Sequence, residues 1–207
     1  MAKGLLIVVS GPSGAGKGTV CSALLKSHPD IQLSISATTR EPRKMEKPGV
    51  NYHYLSREDF LNRIDKHDFL EYAEVYGNYY GTPKQFVLDA LDQGKDVLLE
   101  IDIQGALNVK KAYPDGVFVF ILPPSLKELE KRITTRGTET EESLKRRLSA
   151  ALEEIEQAFE YEYCIVNDQV ENAVEAMEAV LKAERCLIKR NHERIHNYRE
   201  EDFYVKA

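Results

Sequence analysis

The sequence predicts an α/β protein, a parallel sheet flanked by helices and interrupted by a small, partly antiparallel insertion. Three observations carry this reading. An apolar run at residues 5–9 leads through a glycine-rich stretch into a helical pattern. From about residue 96 to residue 181, strand-like and helix-like segments alternate. Between these regions, residues 34–82 break the alternation with extended, period-two segments.

The first strand is the continuous run Leu5-Leu6-Ile7-Val8-Val9, of buried-strand length. After the glycines, Val20, Ala23, Leu24 and Ser27 recur at helical spacing until His28-Pro29 stops them. In the insertion, Ser34-Ile35-Ser36-Ala37-Thr38 alternates at period two, and Tyr52-His53-Tyr54-Leu55 and residues 70–75 look extended. Tyr76-Gly77-Asn78-Tyr79 offers a two-residue hairpin turn with glycine first. Residues 96–102 form an apolar strand ending in acids, followed by a helix from Gly105 and a buried strand at 117–122. Ser125 with Glu128 predicts a capping box for the helix carrying Leu126, Leu129 and Ile133. From about Thr140 a long helix places Leu144, Leu148, Leu152, Ile155 and Phe159 on one face. Residues 163–166 read as a short strand, and Val170, Ala173, Val174, Met177, Val180 and Leu181 as an amphipathic helix. From Lys182 the chain reads as the end of that helix and a ragged terminus.

The composition sets limits. The chain has 207 residues, enough for a sizeable core and between one and two domains. Its longest apolar run, Val117 to Leu122, is six residues, where a membrane span needs about 20. Cys21, Cys164 and Cys186 are odd in number and far apart, without a CxxC, which speaks against a disulfide framework or zinc site. With no secretion signal in view, the expected setting is the cytoplasm. A net charge of -6 disfavours broad binding to nucleic acid or an acidic membrane. Any anion must be held by a local cluster.

That cluster begins at Gly11-Pro12-Ser13-Gly14-Ala15-Gly16-Lys17, which has the phosphate-loop spacing G-x-x-x-x-G-K between a strand and a helix. Glycines let successive backbone N–H groups converge on an anion, and the following helix aims its positive end there. Lys17 adds a point charge for the outer phosphates. Gly18 stands where Ser or Thr normally offers a hydroxyl to Mg²⁺, and Thr19 follows. The ion is therefore expected to be carried by nucleotide phosphates, waters and a carboxylate. Gly-Lys-Gly-Thr resembles the loops of adenylate kinases, where the Thr lies near a phosphate. Arg40 and Arg43 lie three apart in an extended segment flanked by Thr and Pro, a pattern suited to a second phosphate. Asp102 ends a strand beside the loop, where a substrate or metal-side contact is expected; Glu100 is left without a role.

The combination resembles the guanylate kinases closely. It joins the loop, Ser34-Ile35-Ser36-Ala37-Thr38-Thr39-Arg40-Glu41-Pro42-Arg43, and Glu71 ahead of Tyr76-Gly77-Asn78-Tyr79-Tyr80-Gly81-Thr82. Glu100-Ile101-Asp102-Ile103-Gln104-Gly105 and Arg136-Gly137-Thr138-Glu139-Thr140-Glu141-Glu142-Ser143 follow in the family's order, and agreement runs to Val166-Asn167-Asp168. The resemblance implies a phosphate-loop NTPase core, a small mixed β/α GMP-binding insertion and a helical lid. The core would take residues 1–33, 83–125 and 157–190, the insertion 34–82, the lid 126–156 and a C-terminal tail 191–207. It implies transfer of phosphate from ATP, with Mg²⁺, to GMP, in purine nucleotide metabolism. ATP would lie on Gly11, Pro12, Ser13, Gly14, Ala15, Gly16, Lys17, Gly18 and Thr19. The GMP phosphate would lie on Arg40, Arg43, Tyr52 and Tyr80, and the guanine on Ser36, Glu71, Thr82 and Asp102. Lys17, Arg40 and the lid arginines Arg132, Arg136 and Arg147 would face the transferring group. Thr82 stands where the family often has Ser, and Met45 where it usually has Gly, so the turn at 42–46 is expected to be built differently.

Two other readings remain at this level. Another nucleoside-monophosphate kinase would share the loop, and guanylate-kinase-like domains of scaffold proteins keep the shape but bind protein partners. Formation of GDP from GMP and ATP, compared with AMP, UMP and CMP as acceptors, separates them.

Overall fold

The computed structural model describes residues 3–75, 77–134 and 141–201, and their side chains except those at 141–143, 145, 194 and 198–201. The chain opens with β1 (Leu6–Ser10), α1 (Lys17–Ser27) and β2 (Gln32–Leu33). The insertion holds β3 (Ala37–Thr38), β4 (His53–Tyr54), α2 (Arg57–Asp65), β5 (Phe69–Val75) and β6 (Asn78–Pro83). Next come α3 (Lys84–Asp92), β7 (Val97–Glu100), α4 (Ile103–Ala112) and β8 (Val117–Leu122). Two helices, α5 (Leu126–Thr134) and α6 (Glu141–Glu156), are followed by β9 (Tyr163–Val166), α7 (Val170–Arg185) and α8 (His192–Glu201).

Five strands form a wholly parallel sheet in the order β2-β7-β1-β8-β9. The run at residues 5–9 is apolar throughout because helices cover both sides of this sheet. Leu5, Ile7 and Val9 pack with Val20 and Leu24 of α1 and Met177 of α7. Leu6 and Val8 pack with Val87 and Leu91 of α3 and Ala106 and Val109 of α4. The C-terminal ends of β1, β7, β8 and β9 share one edge of the sheet, where α/β proteins place their ligands.

The insertion forms a second, four-stranded sheet, β4-β3-β6-β5, with antiparallel β3–β6 and β5–β6 pairs. Its small core stacks Phe60 on Phe69 at 4.5 Å and on Tyr79 at 5.4 Å between ring centroids. Tyr79 is thus a packing residue. Beyond the insertion, Leu129 and Ile133 of α5 pack with Leu144, Leu148 and Ala151 of α6.

Local details differ from the sequence reading. The hairpin pairs Val75 with Asn78, so Gly77 is the second, not the first, of the two positions between them, with φ 78°. That position needs a positive φ, which glycine adopts without steric cost. Only Ala37–Thr38 of the 34–38 segment pairs as a strand. Helix α4 starts at Ile103 rather than Gly105, because the Asp102 side chain caps it. Half of the expected capping box forms: Glu128 N–H donates to Ser125 Oγ at 3.1 Å, while the Glu128 carboxylate turns to Arg132. Leu152 and Phe159 are 48% and 88% exposed and do not continue the buried face of α6. Steps of four residues drift around a helix of 3.6 residues per turn, so the stripe passes to Ala151 instead. Helix α8 occupies part of the segment read as ragged, and α2, capped by Ser56, goes beyond the periodicity reading.

Candidate active site

The loop from Gly11 to Gly16 leaves the end of β1 and enters α1 at Lys17. Gly16 has φ 89°, and a β-carbon there would stand 2.4 Å from Asn167 Nδ2, so both conformation and space require glycine. Asn167 donates to Ala15 O at 2.8 Å and fastens the loop to the chain after β9. Lys17 Nζ donates to Gly11 O at 2.6 Å and to Pro12 O at 3.2 Å. Burial lowers the Lys17 pKa, and the Glu100 and Glu154 carboxylates oppose that fall. Thr19 is exposed along the same cleft.

Helices α5 and α6 bring their own charges to the loop. Arg132 donates to Glu128 Oε1 at 3.1 Å, to Ala15 O at 3.3 Å and to Asn167 O at 3.2 Å. The four-residue spacing of Glu128 and Arg132 is therefore a helix pair, and Arg132 also reaches the loop. Arg147 donates to Ser13 Oγ at 3.1 Å. The Ser13 N–H of the glycine-rich loop donates to Glu154 Oε2 at 3.1 Å. Arg136 lies outside the described residues.

A cleft of 1390 Å³ joins this loop to the insertion, with Lys17, Glu100, Asp102, Arg43, Arg147 and Glu154 among its walls. On the insertion side, Arg40 forms a bidentate pair with Glu46 at 2.9 and 3.0 Å and lies over the Tyr52 ring at 5.5 Å. Tyr52 meets Tyr54 and Tyr80 edge-on at 6.0 and 5.9 Å, and burial raises its pKa. Glu46 also accepts from Arg43 N–H and the Tyr54 hydroxyl, each at 2.8 Å. The hydrogen bonds from Arg40 and the Arg43 N–H pull its pKa down to about 2. The turn closes without glycine, Glu46 N–H donating to Arg43 O at 2.9 Å with Met45 exposed.

Deeper in, β5 and β6 set Glu71 opposite Thr82. Glu71 is 7% exposed and Thr82 fully buried, and the Thr82 hydroxyl donates to Glu71 Oε1 at 2.7 Å. Burial pushes the Glu71 carboxyl up to about 7; the nearby Asp102 charge adds to the rise and the Thr82 hydroxyl opposes it. Asp102 accepts from Gly105 N–H at 2.9 Å. Ser36, half-buried just before β3, accepts from His53 N–H through its carbonyl. The arrangement thus offers an anion loop with a lysine, an arginine–tyrosine cluster, and a buried carboxylate–hydroxyl pair.

The family model for guanylate kinase matches residues 3–184. The chain belongs to the guanylate kinase family. It is 58% identical over 202 residues to a guanylate kinase of Clostridium perfringens, covering 98% of this chain and 94% of that protein. It is 54% identical to one of Caldanaerobacter subterraneus, covering 96% and 97%. The crystal structure of guanylate kinase from Anaplasma phagocytophilum matches with a TM-score of 0.78 at 35% identity, covering 92% of this chain and 90% of that one.

Guanylate kinases are phosphotransferases that work with a divalent metal, and the loop's surroundings suit one. A β-carbon at Gly18 would stand 3.2 Å from Glu100 Oε1, so the strand-end carboxylate fills the place of a hydroxyl-bearing side chain. One carboxylate with nucleotide oxygens and water is a donor set of the kind Mg²⁺ prefers. Among the described residues, Glu46, Glu100, Glu154 and Asn167 meet the candidate site without a role in the sequence reading. Only the closeness of Glu46 to Arg40 and Arg43 was visible there; Glu154 and Asn167 meet the loop through the fold.

Proposed function

We propose that the protein transfers the γ-phosphoryl group of ATP to GMP, giving ADP and GDP, in purine nucleotide metabolism. The observation that carries the reading is the buried Glu71–Thr82 pair close to Asp102, which lines the cleft with the phosphate loop. The bond from the γ-phosphorus to the ADP oxygen breaks, and a bond to a GMP phosphate oxygen forms. That acceptor oxygen is already anionic near neutral pH, so no strong general base is needed. The loop amides of residues 11–19 and Lys17 hold the ATP phosphates. Arg40, Arg43, Tyr52 and Tyr80 hold the GMP phosphate; Ser36, Glu71, Thr82 and Asp102 take the base. Arg132, Arg136 and Arg147 face the transferring group, and Glu100 faces the ion. Mg²⁺ carried on the ATP phosphates beside Glu100 would supply charge neutralisation for the transferring group. Core, insertion and lid as divided above close on the substrates and exclude water.

A cytoplasmic setting belongs to this reading. Its support is three unpaired cysteines and, among the described residues, no helix long and apolar enough to cross a membrane. The test is ADP and GDP formation from ATP and GMP with Mg²⁺. The two products must appear in equal amounts, and GDP formation must stop when ATP is withheld.

Two smaller predictions follow from charge. A nucleotide phosphate on the loop competes with Glu154 for the Ser13 N–H. Glu154→Gln removes that competing charge and lowers KM for ATP by roughly five-fold, about 1 kcal/mol. A raised KM would mean that Glu154 holds the nucleotide instead. The second concerns pH. A protonated Glu71 presents a donor to a base edge that itself donates, so kcat/KM for GMP falls as pH drops through about 7. Glu71→Gln removes this limb and leaves only the titration of the substrate phosphate near about pH 6. A limb unchanged in Glu71→Gln would assign it to another group.

A further inference from the structure

Gly105 is the third residue of α4 and is buried. Its backbone does not ask for glycine: its φ is outside the positive range that other glycines here adopt. Within a helix, glycine is a poorer choice than alanine by about 1 kcal/mol. What the position lacks is room. A β-carbon there would stand 3.0 Å from Glu71 Oε2 and 3.4 Å from the Glu71 carboxyl carbon. The carboxylate has little freedom to withdraw, because Oε1 accepts from the buried Thr82 hydroxyl at 2.7 Å. Helix α4 has little freedom either: Ala106 and Val109 are in the core, and Asn108 Nδ2 donates to Tyr72 O of β5 at 3.1 Å. The Gly105 N–H donates to Asp102 Oδ1 at 2.9 Å. The two acids assigned to the base therefore converge on one small residue.

We infer that Gly105 is a specificity-positioning residue, whose missing side chain and backbone N–H set Glu71 and Asp102 in register with the guanine. The inference rests on the proposed reading of Glu71. A methyl group at 105 displaces the Glu71 carboxylate by a few tenths of an ångström. Two parallel hydrogen bonds to one base edge tolerate such a shift poorly. AMP, which does not use those bonds, is affected less. A residue that merely served the helix would behave in the opposite way, since alanine is the better helix former.

The experiment measures kcat/KM for GMP and for AMP, together with thermal stability, in wild type, Gly105→Ala and Glu71→Ala. For Gly105→Ala the expected result is a folded chain that melts close to wild type, the strain of the contact offsetting alanine's helix advantage, with the GMP:AMP ratio reduced on the order of ten-fold. If Glu71→Ala collapses the ratio and Gly105→Ala leaves it at the wild-type value, the inference is overturned while the reading of Glu71 stands. A Gly105→Ala chain that melts well below wild type also overturns it, because the glycine then serves folding. If Glu71→Ala keeps the wild-type ratio, the reading itself fails and takes the inference with it. As a second measurement, Gly105→Ala in a Glu71→Asp background should change the ratio little, because the shorter acid no longer meets the methyl group. An equal loss in both backgrounds contradicts the proposed contact.

Discussion

Lys17→Ala lowers kcat by roughly 10²–10³ while the protein keeps its fold. The lysine is the first residue of α1, and among the described residues its side chain hydrogen-bonds to carbonyls of its own loop, Gly11 O and Pro12 O. Removing it leaves the sheet and the packing of Val20 and Leu24 untouched. What is lost is a positive charge poised beside the loop, where negative charge on the transferring phosphoryl group spreads in the transition state. Because the interaction strengthens as the reaction proceeds, the loss falls on kcat rather than on KM for ATP alone. Steady-state kinetics with circular dichroism of the variant check both halves. A variant with near-normal kcat would remove Lys17 from the mechanism.

Glu71→Ala lowers kcat/KM for GMP by about 2–4 kcal/mol and reduces AMP turnover far less. Guanine presents two neighbouring donors on its pairing edge, the ring N1–H and the exocyclic amino group, and one carboxylate accepts both. Adenine has an unprotonated ring nitrogen there, which would face the carboxylate lone pairs and leave them unpaired. Ser36 suits the guanine carbonyl oxygen, where adenine carries an amino group instead, and the Thr82 hydroxyl, its one proton given to Glu71, holds the carboxylate in place. Burial at 7% exposure makes the difference large, since no water replaces the missing partner. The measured quantity is the GMP:AMP ratio of kcat/KM. An unchanged ratio in Glu71→Ala would place base recognition elsewhere.

How much of this was legible in the sequence depended on range. The phosphate loop was legible because its spacing, its preceding strand and its following helix are all local. The parallel sheet was legible because β1, β8 and the helices between announce themselves by period. Where pairing decides a detail, the sequence was less informative. Whether Gly77 comes first or second in the hairpin depends on the Val75–Asn78 register, which no short window contains. The stripe on α6 shifted from Leu152 to Ala151 because the partner helix α5, not apolarity, selects the face. Within the site, Arg40, Arg43 and Glu71 were named from their motifs. The bidentate hold of Glu46 on Arg40 was not, because it needs a turn to bring the two together. Glu154 lies 141 residues from Ser13 and Asn167 lies 152 from Ala15, so only the folded chain shows these contacts.

The measurement that tests the central claim most directly is kcat/KM for phosphorylation of GMP, AMP, UMP and CMP by the unmodified protein with ATP and Mg²⁺. A site whose base contacts are buried and polar predicts preference for GMP on the order of 10⁴ over AMP. Comparable turnover of AMP or of a pyrimidine nucleotide, or no transfer to any of the four, would contradict it.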